Sequence, residues 1–128
     1  MKTAAQYQHD IDGLNFEGIQ TEGLSESEAR KTLKQVVETQ EKLHQIEAGL
    51  NLDLHALERQ YRGRSTSVQL QNPNRSAHAR EEEHRLDEEK QHKLVPYEDV
   101  KKRIDTLLPQ VEKMREDLEK AVPSKVKH

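Results

Sequence analysis

YEDVKKRIDTLLPQVEKMREDLEKA, residues 97–121, is the most regularly patterned stretch of the chain. Its apolar side chains Tyr97, Val100, Ile104, Leu107, Val111, Met114, Leu118 and Ala121 advance by three and four residues in strict alternation. On an α-helix that spacing holds all eight on one narrow stripe, because a turn takes about 3.6 residues. Most of the positions between are charged, so the opposite face belongs in water. Such a helix draws its stability from packing its stripe against another surface. That requirement points to an all-α protein in which helices lie along one another.

Pro96 sits where a first-turn proline belongs and Pro123 closes the far end, so this helix is expected over 97–121. Pro109 interrupts it, at a cost of about 3 kcal/mol. Because the stripe passes from Leu107 to Val111 in register, a kink near 105–109 is expected rather than a break.

A second stripe lies nearer the amino terminus. One heptad position reads Ala29, Val36, Leu43, Leu50, Leu57, and the position four residues on reads Leu33, Gln40, Glu47, Leu54, Tyr61. Val37 and Ile46 widen it, and Gln40 and Glu47 are polar residues suited to setting register. Ser25 followed by Glu28 has capping-box spacing, and Glu26 and Glu28 place negative charge where the helix dipole favours it. A helix is therefore expected over 25–61, about 55 Å long. Gly49 and Asn51 weaken it, and Gly63 is expected to end it.

Between the stripes, residues 62–76 read RGRSTSVQLQNPNRS and are expected to form a loop, given Gly63, Pro73 and the small polar residues. Residues 77–95 are expected to form a third, polar helix with Leu86 and Leu94 as its large apolar residues before Val95. Spaced pairs such as Glu81 with Arg85 and Glu89 with Lys93 would support it. Residues 1–24 contain Gly13, Gly18 and Gly23 among scattered apolar positions and read as an irregular arm. The expected organisation is thus this arm followed by one helical domain over 25–128, arranged as an antiparallel hairpin or coiled coil.

Composition agrees with narrow stripes. Hydrophobic residues are 31% of the 128 and charged residues 35%, with one phenylalanine and no tryptophan, too little apolar bulk for an ordinary globule of this size. The net charge of −3 creates no general attraction to nucleic acid or anionic lipid. No apolar run is long enough for a membrane span. The absence of cysteine excludes disulfides and thiolate metal sites, so a cytoplasmic protein is expected.

The expected helices differ in length, about 37 Å for 97–121 against 55 Å for 25–61. Part of the longer stripe would stay uncovered unless the arm or a second copy covered it, and uncovered seams usually mark interfaces. Self-association is therefore expected, most simply as a dimer. Val36, Leu43, Leu50, Leu54, Leu57 and Tyr61 on one side, and Tyr97, Val100, Ile104, Leu107, Val111, Met114 and Leu118 on the other, form the expected helical interface. The charged loop and polar helix would face an unidentified protein partner.

Arg62, Arg64, Arg75 and Arg80 are candidate anion or partner contacts, and they supply the alternative reading of a small nucleic-acid-associated protein. Glu81, Glu82 and Glu83 cancel much of their field, and the loop has no aromatic ring for a base to stack on. His84, Glu88 and His92 share one helical face and invite a metal reading. They span about 12 Å along the axis without the HExxH arrangement, so no metal and no cofactor is expected. No phosphate-binding glycine loop, nucleophile elbow or apolar carboxylate pair occurs. A non-catalytic protein is expected.

Overall fold

The computed structural model describes residues 1–71 and 77–122, the side chain of Gln71 excepted. In these residues the chain forms three α-helices, α1 (Ala4–Asp12), α2 (Glu26–Gln71) and α3 (Ala77–Lys120), with a short 3-10 turn at Phe16–Gly18. No strand occurs among the described residues. The two long helices pack side by side in an all-α hairpin. They run antiparallel: Gln40 of α2 bonds Glu112 and Arg115 of α3, whereas Arg64 further along α2 meets Glu89, earlier in α3.

α2 starts where expected. The Ser25 hydroxyl accepts from the Glu28 backbone N–H at 3.2 Å and donates to the Glu28 carboxylate at 2.9 Å. Its far end departs from the expectation. Gly63 does not stop the helix, and residues 62–71 form its last turns instead of a loop. Residues 72–76, the remainder of that expected loop, lie outside the described residues. A mid-helix glycine costs only about 1 kcal/mol. Against this, Val68 falls seven residues after Tyr61, extends the stripe by a heptad and is half-buried. Arg64 lies over the Tyr61 ring at 5.3 Å and pairs with Glu89 at 2.8 Å.

The expected helices over 77–95 and 97–121 are one helix. Pro96 occupies an interior position, not a first turn, and α3 continues through Pro109 as well. Ala79, Leu86 and Leu94 are buried and lead directly into the stripe of Val100, Ile104, Val111 and Leu118. Burying a leucine stabilises by about 1.5–3 kcal/mol, so two leucines on the continuing face outweigh the roughly 3 kcal/mol penalty of one proline. Both prolines lie on the exposed side, as do His92 and Asp105, whose carbonyls lose their helical donors.

The two long helices now match, at about 69 Å and 66 Å. The length mismatch that left part of the first stripe uncovered does not exist. Val36, Leu43, Leu50, Leu54, Leu57, Tyr61, Val100, Ile104, Val111 and Leu118 are buried within the single chain, and Tyr97, Leu107 and Met114 pack half-buried against them. No helix of the described residues is long and apolar enough to cross a membrane.

The amino-terminal arm is also more ordered than expected. Thr3 caps α1 through a reciprocal capping box: its hydroxyl accepts from the Gln6 N–H, and the Gln6 side chain accepts from the Thr3 N–H. Tyr7 and Ile11, four residues apart, are both buried. The glycines opposed no helix, because all three follow α1, Gly13 standing at its carboxyl cap.

Candidate functional site

α1 lies lengthwise along the hairpin and touches both long helices, Lys2 to Asp12 following Tyr97 to Arg103 of α3. Tyr7 lies over Gly49 of α2, where an added Cβ would stand 3.4 Å from the tyrosine hydroxyl. A methyl group there would just touch the hydroxyl, and a larger side chain would displace the tyrosine. The Tyr7 hydroxyl donates to the carboxylate of Asp53, one turn along, and the Lys2 backbone N–H donates to the same oxygen at 3.3 Å. From α3, the Tyr97 hydroxyl donates to the Lys2 carbonyl at 2.6 Å, and its ring meets Tyr7 edge-on at 6.3 Å. Arg103 closes the other end, donating to the Gln8 side chain and pairing with Asp12. Lys2 pairs with Asp10 at 2.8 Å and lies 5.7 Å from the centre of the Tyr7 ring.

Burial raises the Tyr7 phenol pKa above its ordinary value near 10, and the hydrogen bond and charge of Asp53 raise it further. Tyr97 is raised as well, first by burial and then by Asp53. Both phenols therefore stay neutral donors through the physiological range, which suits them to clamping and not to proton transfer near pH 7. This cluster was missed in the sequence. The Thr3–Gln6 spacing and the Tyr7–Ile11 pair were legible signals for α1. Nothing local marks Asp53 or Arg103 as its partners.

A second polar set lies toward the open end of the hairpin, in the first third of α2 and the last turns of α3. The Gln40 amide donates to Glu112 at 2.6 Å while its oxygen accepts from Arg115 at 2.9 Å. Arg115 also bonds Glu119 at 2.9 Å. An amide held between an acid and a base fits one register only, because sliding the helices by a turn separates all three groups.

At the opposite end of the hairpin, Val68 and Leu86 line a shallow groove with Ser67, flanked by Arg64, Glu82, Arg85 and Glu89. Leu70 stands 77% exposed on the last turns of α2. Of the four candidate arginines, Arg64 is engaged by Glu89 and Tyr61, Arg62 and Arg80 are exposed on different helices, and Arg75 lies outside the described residues. On the outer face of α3, His84 pairs with Glu88 at 2.9 Å. Among the described residues no three His, Cys, Asp or Glu side chains are grouped to hold a metal ion.

No protein-family model matches the chain, and no curated protein or solved structure matches it.

Proposed function

We propose that the chain is a non-catalytic, cytoplasmic interaction module: a helical hairpin that self-associates and presents its charged tip to a protein partner. The observation that carries this reading is the distribution of apolar surface. The hairpin seam takes up most of it within the chain, whereas the tip keeps an exposed Leu70 two residues from the half-buried Val68, apolar surface on offer to a partner. The tip groove between Arg64, Arg85, Glu82 and Glu89 combines an apolar floor with both signs of charge at its edges, a composition suited to a polypeptide ligand. Phosphate contact has weaker support, since Arg64 is held by Glu89.

Absolute mass by light scattering, across a wide concentration range, tests the self-association. A two-chain mass that persists on dilution supports it. A mass of 14.9 kDa throughout rejects it and leaves the tip as the surface on offer.

A further inference from the structure

The groove that holds α1 is built by the hairpin alone. Gly49 and Asp53 come from α2, and Tyr97 and Arg103 from α3. What it receives is a nine-residue helix with an aromatic and an aliphatic side chain four residues apart, Tyr7 and Ile11, a tyrosine hydroxyl for Asp53 and a carboxylate for Arg103. None of these contacts depends on the link that joins α1 to α2. Any α1 delivered at the same angle satisfies them equally.

That link spans residues 13–25; Leu14, Phe16, Ile19 and Leu24 in it pack half-buried against the hairpin core, so the unit that would exchange is the whole arm up to its hinge at Gly23. Extended, it reaches about 43 Å. To bring α1 back onto its own hairpin it takes the left-handed conformation twice, at Gly23 (φ 70°) and at Asn15 (φ 52°), the only described non-glycine residue with positive φ. Glycine takes that conformation freely and asparagine tolerates it better than most side chains, so these two residues are where the link bends. A nine-residue helix is also too short to persist free in water, so an α1 that leaves its own groove is stable only in an equivalent one.

We propose that this groove is an acceptor site for the α1 of a second copy, so that two chains associate by exchanging their amino-terminal arms. The exchange is two-fold and closes on itself, each groove receiving the partner's Tyr7 and Ile11. It rests on the self-association read above, and names the surface through which that would occur, now that the long seams are filled within one chain.

Two full-length variants provide the test. Ile11→Asp destroys the arm and keeps the groove; Gly49→Leu fills the groove and keeps the arm. Circular dichroism establishes that each retains the hairpin, with Tyr7→Ala replacing Ile11→Asp if the latter loses helicity. Each variant alone is expected at 14.9 kDa by light scattering, and an equimolar mixture at high micromolar concentration at twice that mass. A mixture that stays at one-chain mass overturns the proposal, as does Gly49→Leu running alone at two-chain mass. A two-chain wild type with a one-chain mixture keeps self-association and moves it to another surface.

Discussion

Gly49 and Gly63 are both interior to α2, yet they stand in opposite surroundings. A Cβ at Gly63 meets nothing within 4 Å, whereas one at Gly49 meets the Tyr7 hydroxyl at 3.4 Å. Gly63→Ala is therefore expected to stabilise by about 1 kcal/mol, raising Tm by about 4 °C. At Gly49 an alanine methyl would only touch the Tyr7 hydroxyl, so it is Gly49→Leu that should lose stability in the same thermal melt, by displacing the tyrosine. A Gly49→Leu variant as stable as wild type would mean that Tyr7 is not held over Gly49. The tyrosine itself makes stability depend on pH. Its folded pKa lies above the unfolded value near 10, so its contribution is complete below pH 10 and falls as pH rises beyond it, once the unfolded chain releases the phenolic proton first. Urea melts between pH 8 and about 11 should show a steeper alkaline loss for wild type than for Tyr7→Phe. Parallel profiles would remove the Asp53 clamp from the account.

At the scale of elements, proline position separates one helix from two. A proline that opens a helix has no hydrogen bond to restore, whereas an interior proline does. Since Pro96 is interior to α3, Pro96→Ala should return a donor to the His92 carbonyl and stabilise by up to about 3 kcal/mol. No change in the denaturation midpoint would favour a helix that starts at residue 97. Both misjudged boundaries have the same origin. Gly63 and Pro96 are breakers by local propensity, worth about 1 and 3 kcal/mol, and propensity is what a single segment displays. The stripes on either side, Tyr61 to Val68 and Leu86 to Val100, are longer-range signals that become decisive only with a facing helix present. Val68 in heptad register was a visible hint that Gly63 would be passed.

The whole molecule is one long seam with a short helix laid along it, and its parts should differ in stability accordingly. The seam core is closed on all sides: Leu50 and Ile104 are completely buried, so Leu50→Ala should cost about 2–5 kcal/mol in chemical denaturation. α1 is held by two buried side chains and a handful of polar contacts. Native-state hydrogen exchange should accordingly show the amides of α1 opening at lower free energy than those of residues 43–57. Exchange of both sets at one common free energy would make α1 an inseparable part of the core, and would count against its exchange between copies.

The sequence by itself determined the helical class, the start of α2 at Ser25 and the two stripes that face one another. These follow from heptad spacing and a cap, which are properties of ten to thirty consecutive residues. Only the tertiary structure decided where the helices end and what α1 does. Whether a helix crosses Gly63 or Pro96 depends on burial against a partner remote in sequence, which outweighs a local penalty of a few kcal/mol. Likewise Asp53, Tyr97 and Arg103 look like ordinary surface positions until the hairpin brings them around Tyr7 and Asp12, from segments 46 to 95 residues apart in the chain.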